Sequence, residues 1–217
     1  MEQNSPFIIT ISRQAGSGGS YLGQKLAKRL GLLYVDRETV KEVAKKLEAE
    51  GEGLENREEK VTGFWQSVIQ SFRFAPDIYT PPILMPIPTD QQMFRVESDV
   101  IRYIAKKQSA VIVGRGGSYI LQTHPNHVSV FLHANHEYRT KRVQEVYELS
   151  AQEANKTVDN SDRDRSRYFH ALTGRDWSDA RQYHISLDTF VLGMDKAEEI
   201  IVSYIQTRFG ELSLSQG

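Results

Sequence analysis

The sequence predicts an α/β fold, a parallel sheet of five strands with helices on both faces. Three observations point there. Short apolar runs rich in β-branched residues recur at 7–11, 33–35, 110–113, 128–132 and 183–187, and such runs suit strands buried on both faces. Stretches with apolar residues at helical spacing lie between most of them, as the long crossovers of a parallel sheet require. The chain has 217 residues, 39% of them hydrophobic and 25% charged, enough for one sizeable core with an ordinary soluble surface.

Composition also narrows the chemistry. The net charge of −1 gives no general attraction to a nucleic-acid polymer or an anionic membrane, so any basic site must be local. No cysteine is present, which excludes disulfides, thiolate metal sites and a thiol nucleophile. The opening MEQNSP lacks a basic and an apolar leader region, and no apolar run approaches the length of a membrane span, so a cytoplasmic location is expected. The six histidines show no H-E-x-x-H or similar zinc spacing.

The first strand, Phe7-Ile8-Ile9-Thr10-Ile11, runs into a turn rich in glycine, Ala15-Gly16-Ser17-Gly18-Gly19-Ser20. Leu22, Leu26, Ala27 and Leu30 then recur at helical spacing. Strand, glycine turn and helix form the local geometry of a phosphate cradle. Small residues let several N–H groups point inward, and the positive end of the helix faces the anion. Measured against the pattern G-x-x-x-x-G-K-[ST], Gly18 and Ser20 fit, whereas Arg13 stands at the first glycine and Gly19 at the lysine. Arg13 is the nearest replacement for that missing charge.

Gly31 stops the first helix, and Leu33-Tyr34-Val35 forms a second strand ending at Asp36. Asp36 suits either a helix N-cap or a substrate contact, and Arg37 can reach a substrate phosphate or stay solvated. Residues 48–62 are acidic and read as an exposed loop or frayed helix. Phe64, Trp65, Val68, Ile69 and Phe72 return at helical spacing, followed by a segment with five prolines that cannot be a regular helix. The apolar content of 63–88 suggests packing on the main domain, a homodimer interface or a substrate-covering flap.

A helical pattern resumes from Asp90 with Met93, Phe94, Val100, Ile101 and Ile104, and leads to the third strand, 110–113. That strand ends in Gly114-Arg115-Gly116, which puts a guanidinium at the same sheet edge, either to grip phosphate or to pair with an internal acid. After the fourth strand a helix opens with Arg139 and Arg142 on one face. Further on, Arg163 and Arg167 share one helix face and Arg165 points away from it. A fifth strand, a closing helix over 195–209 and a loose tail complete the chain.

The motifs I-T-I-S-R-Q-A-G-S-G-G, L-Y-V-D, V-I-V-G-R-G-G-S-Y-I-L, F-L-H-A-N-H-E-Y-R-T-K-R-V and S-D-R-D-R-S-R-Y-F-H-A-L-T-G-R-D-W together resemble the cytidylate kinase-like family, a nucleoside monophosphate kinase branch of the P-loop NTPases. The resemblance spans nearly the whole chain apart from 48–90 and the tail. It implies a single domain over 1–217 with the three-layer P-loop kinase fold, a variable insertion at about 48–90 and a helical lid at about 140–175. Gly16, Ser17, Gly18, Gly19 and Ser20 would cradle the phosphates of ATP, with Ser20 near Mg²⁺. Arg13 matches an arginine common before the loop. Asp36, Arg37 and Arg115 would lie at the acceptor, and Arg139, Arg142 and Arg165 would close on the transferring phosphoryl group. The chain departs from cytidylate kinases at Gly116, where they carry aspartate, and at Gly19, where they carry lysine. Two functions stay open. One is transfer of the γ-phosphate of Mg-ATP to a nucleoside monophosphate or another small phosphate-bearing acceptor. The other is a non-catalytic nucleotide- or anion-sensing module. Phosphorylation of a non-nucleotide metabolite is a third option on the same scaffold.

Overall fold

The computed structural model describes residues 6–40, 42–43 and 91–210. The expectations for 44–90, including the amphipathic and proline-rich stretches, lie outside these residues, as do those for 1–5 and 211–217. In chain order the elements are β1 (Ile8–Arg13), α1 (Gly19–Leu30), β2 (Leu33–Val35), α2 (Gln91–Lys107), β3 (Ala110–Val113), α3 (Gly117–Ile120), β4 (His127–His133), α4 (His136–Tyr147), α5 (Ala151–Thr173), β5 (Ile185–Asp188) and α6 (Thr189–Phe209). A helical turn at 37–40 follows β2, and a 3₁₀ turn, Ala180–Gln182, precedes β5.

The five strands among the described residues are all parallel, in the order β2-β3-β1-β4-β5. Strand alternation sorts their side chains into two apolar layers. Ile9 and Ile11 of β1, with Val111, Val113, Val128, Val130 and Leu132, pack under Leu22 and Leu26 of α1 and Ile201 and Ile205 of α6. Ile8 and Ile112 face the other way, against Val100, Ile101 and Ile104 of α2 and Ile120 of α3. Leu22 and Leu26 are fully buried, each removal from water contributing roughly 1.5–3 kcal/mol. This is the expected three-layer arrangement. Among the described residues no helix is long and apolar enough to cross a membrane.

Two of the boundaries that differ from the sequence reading have a local cause. β5 begins at Ile185, because Tyr183 closes the 3₁₀ turn by donating its N–H to the Ala180 carbonyl at 3.2 Å. The last helix begins at Thr189 rather than 195, since Asp188 accepts the N–H groups of Phe190 (2.9 Å) and Val191 (3.3 Å) as an N-cap. Gly193, at φ 73° and ψ 165°, kinks the helix between those two starting points.

The strands all end on one edge, where open α/β sheets take their ligands. At the interior of the sheet, His127 Nε2 pairs with Thr10 Oγ1 at 2.7 Å, and its Nδ1 is buried without a partner among the described residues. Burial, reinforced by the neighbouring His184, pulls the His127 pKa from 6.5 down to about 3. The unfolded chain takes up this proton near pH 6.5 and the folded chain does not until about pH 3. Stability is therefore lost as pH falls through that window, by up to about 1.4 kcal/mol per pH unit. Denaturant titrations between pH 7.5 and 5 are expected to show this loss, and His127→Gln to flatten it; an unchanged slope in the variant would exclude His127 as the source.

Candidate phosphate-binding site

The turn between β1 and α1 is anchored from below. Gln14 N–H donates to the Leu132 carbonyl at 2.9 Å. Ser17 is fully buried and its hydroxyl donates to the carbonyls of Gln14 (2.9 Å) and Leu132 (3.2 Å). Thr189 Oγ1 donates to the Ser17 carbonyl at 3.0 Å. Ser17 thus contributes its main chain to the loop while its side chain fastens the loop to the sheet.

Above these anchors the loop leaves donors without partners among the described residues. Helices α4, α5 and α6 carry side-chain caps from Asn135, Ser150 and Asp188, whereas α1 has Gly18 at its N-cap and no side-chain cap. The amides of Gly19, Ser20 and Tyr21 in its first turn have no preceding helical carbonyl to bond. Gly16 and Gly18 adopt φ of 79° and 84°, which brings the main chain round in a concave turn. Neither tolerates a side chain. A Cβ on Gly16 would overlap the Arg139 carbonyl, and one on Gly18 would meet Met194 Sδ at 2.9 Å.

Gly19 has a different reason to be glycine. A Cβ there would lie 2.7 Å from Arg13 Cγ and 3.0 Å from Arg13 Cβ, and a Cβ on Gly114 would overlap the Arg13 guanidinium. The Arg13 side chain therefore crosses the start of α1 and reaches the end of β3, through the space that a side chain at position 19 would enter. Burial, with the Arg165 charge next, pulls its pKa down to about 9, and Asp36 is among the groups that oppose this. It stays a cation at neutral pH.

A cleft over the loop is lined by Arg13, Gly16, Gly18, Gly19 and Ser20, with Arg142 and Val146 from α4 and Ser161 and Arg165 from α5. Arg142 lies over the Tyr21 ring at 5.8 Å, and Arg165 Nη1 donates to the Arg13 carbonyl at 3.3 Å. Arg163 and Arg167 are exposed, in keeping with their separation from Arg165 on the helix. Arg139 is buried beneath the loop, donating to the carbonyls of Ala134 (3.0 Å) and Ala15 (2.9 Å) and to Asp162 Oδ2 (2.7 Å). Its contacts are those of a loop support.

Toward β2 and β3 lies the expected acceptor side. Asp36 takes the N-cap role, its Oδ1 accepting from the amides of Glu38 (3.1 Å) and Thr39 (3.0 Å). Arg115 pairs with Glu97 Oε2, with Nε at 3.0 Å, and lies 5.1 Å over the Tyr168 ring. Of its two sequence readings, the internal acid partner is present. Glu97 Oε1 and Arg37 Nε are buried without partners among the described residues, and burial, then the Arg115 charge, lowers the Arg37 pKa. Sequence reasoning missed Glu97 and Asp162. Glu97 could have been found, for it falls between Phe94 and Ile101 on the apolar stripe of α2. Asp162 sits in a run of alternating charges, with nothing in the sequence to separate it from Asp159 or Asp164.

A family model described as the Cytidylate kinase-like family matches residues 8–190. Among solved structures, an uncharacterized protein from Eubacterium ventriosum ATCC 27560 is 25% identical with a TM-score of 0.70, the match covering 93% of this chain and 99% of that one. A shikimate kinase from Acinetobacter baumannii in complex with shikimate is 15% identical with a TM-score of 0.49, covering 95% and 96%. A shikimate kinase from Bacteroides thetaiotaomicron is 12% identical at 0.48, covering 93% and 97%. Among curated proteins no sequence matches.

The loop geometry separates two kinds of glycine. Gly16→Ala combines a positive φ with a clash against main chain, whereas Gly31→Ala, at φ +64° with no atom of the described residues within 4 Å, carries backbone strain alone. Thermal unfolding is expected to show a loss of about 1–2 kcal/mol for Gly31→Ala and a clearly larger one for Gly16→Ala. Equal losses would mean that the loop accommodates the added methyl group.

Proposed function

The chain belongs to the cytidylate kinase-like family, and from that premise we propose that it is a phosphotransferase moving the γ-phosphate of Mg-ATP to a nucleoside monophosphate or a related small phosphate-bearing acceptor. The observation that carries this reading is the exchange between positions 13 and 19. The pattern of a phosphate loop asks for a lysine at 19; here glycine stands there, and the stem of Arg13 fills the space beside it. A cation is thereby retained at the cradle, which favours catalysis over a sensor that has lost its charge.

In this reading the amides of Gly16, Gly18, Gly19 and Ser20 hold the donor phosphates, with the main chain of Ser17 completing the loop. Among the described residues no three His, Asp or Glu gather as a metal cluster. That fits Mg²⁺, which is commonly held by one or two protein oxygens together with substrate phosphates; Ser20 Oγ is the protein oxygen on offer. The acceptor oxygen forms a bond to the γ-phosphorus as the bond to the β–γ bridging oxygen breaks, its electron pair leaving with ADP. Arg13 and Arg165 stand where they stabilise the charge that develops, Arg142 closes the cleft from α4, and Arg139 keeps the loop in shape. Asp36, Arg37 and Arg115 form the acceptor side, with Arg115 held by Glu97. Residues 140–175 act as the lid and 48–90 as the insertion within a single domain. A small-molecule nucleotide is the partner we infer, in the cytoplasm, with neither a nucleic-acid polymer nor a membrane, and the apolar composition of 63–88 makes a homodimer part of the same proposal.

A non-catalytic nucleotide- or anion-sensing module is the second reading, favoured by the absence of lysine at 19; it predicts nucleotide binding without ADP formation. ADP release from Mg-ATP with a panel of nucleoside monophosphates separates the two, and non-nucleotide metabolites extend the panel. Arg13→Ala is expected to lower turnover by ~10²-fold or more. Gly19→Lys alone is expected to be inactive through collision with Arg13, and Arg13→Ala combined with Gly19→Lys to recover part of the loss. Full turnover in Arg13→Ala would remove this mechanism.

A further inference from the structure

One carboxylate joins helix α5 to the phosphate loop. Asp162 Oδ1 accepts the Ala15 N–H at 2.7 Å, and its Oδ2 accepts from Arg139 Nη1 at 2.7 Å. Arg165, one helical turn further on, donates from Nη1 to Asp162 Oδ1 at 3.4 Å and to the Arg13 carbonyl at 3.3 Å. Asp162 therefore contacts the loop main chain, the arginine beneath the loop and an arginine that lines the cleft. The Arg165 charge is also felt at Arg13, where it is the largest influence after burial. Both residues line the same cleft, and Arg165 bonds the main chain of Arg13. Like charges so placed repel, and a carboxylate on the helix side offsets that repulsion.

We propose that Asp162 is a positioning residue for phosphoryl transfer, holding Arg165 beside Arg13 and fixing the Ala15–Gly16 turn so that both guanidinium groups are in place for the charge of the transition state. The inference rests on the phosphotransferase reading above and adds to it a residue that does not itself touch substrate. Its cost to the ground state has a consequence. A negative charge next to an anion site weakens binding of the anion, while the order it imposes on Arg165 accelerates the chemical step. Rate and affinity should then respond in opposite senses when the charge is removed.

Asp162→Asn makes the separation. The asparagine Oδ1 can still accept the Ala15 N–H, but the ion pairs with Arg139 and Arg165 lose their charge. The expected result is a kcat lower by about tenfold or more, with KM for Mg-ATP unchanged or lower; the unfolding midpoint falls as well, because buried Arg139 loses its carboxylate and its Nη1 faces the asparagine amide. A merely structural carboxylate would lower the midpoint too, but would raise KM and leave the kcat of the folded protein intact. Arg165→Ala supplies the second arm: if Asp162 acts through Arg165, adding Asp162→Asn to that variant should change kcat by less than about threefold. Should Asp162→Asn fail to fold, Asp162→Glu, which keeps the charge on a longer stem, is expected to show the same fall in kcat at unchanged KM. A full kcat in the folded variant, a rise in KM alone, or independent losses in the double variant would overturn the inference while leaving the phosphotransferase reading intact. Absence of ADP formation by the unmodified protein across the acceptor panel would overturn both.

Discussion

The Arg13 side chain leaves the end of β1 and runs across Gly19 toward Gly114, so close that a methyl group on either glycine would meet it. A guanidinium can take this path only if both neighbours lack side chains, and β1 must hand the chain to α1 through a turn tight enough to bring Gly19 under the stem. Positive φ at Gly16 and Gly18 supplies that turn. Ser17, buried below, ties it to the carbonyls of Gln14 and Leu132. The open amides of the loop, the cation above them and the end of β3 are thereby fixed relative to one another before any ligand enters.

Around this arrangement the arginines divide by their contacts. Arg139 and Arg115 are buried and paired, the first to Asp162 and main-chain carbonyls, the second to Glu97. They shape the site rather than line the cleft. Arg13, Arg142 and Arg165 line it. The second set is not free of burial: burial pulls the Arg13 pKa down to about 9, and Arg165 pairs with Asp162. What distinguishes it is that its guanidinium groups border the cleft, where an anion can reach them. Preorganised cations of the second kind are what phosphoryl transfer uses, because their reorganisation precedes the reaction.

Much of the frame was legible in the sequence. The β-branched runs at 110–113 and 128–132 could only be buried strands, and the glycine turn after β1 pointed to an anion site at the carboxyl edge. Two boundaries were misread for local reasons: Tyr183 and His184 have strand-like side chains but follow a 3₁₀ turn, and Gly193 masked the first turn of α6. Which buried charges pair with which was not legible, because the partners come from remote segments, even where a buried acid such as Glu97 could be picked out on its helix stripe. Asp162 lies 147 positions from Ala15 and Glu97 lies 18 from Arg115, and neither separation follows from local periodicity. The glycine at 19 read as a defect from sequence and reads as a requirement once the path of Arg13 is known.

If the loop amides and Arg13 form a nest for polyphosphate, the β-phosphate of a bound nucleotide should sense it directly. Phosphorus NMR of Mg-ADP titrated with the protein measures this without reference to any acceptor. The β-phosphorus resonance is then expected to shift or broaden on addition of protein, and this response to weaken strongly in Arg13→Ala. A β-phosphorus signal that stays unmoved at millimolar protein and nucleotide would contradict the nest and the phosphotransferase built upon it.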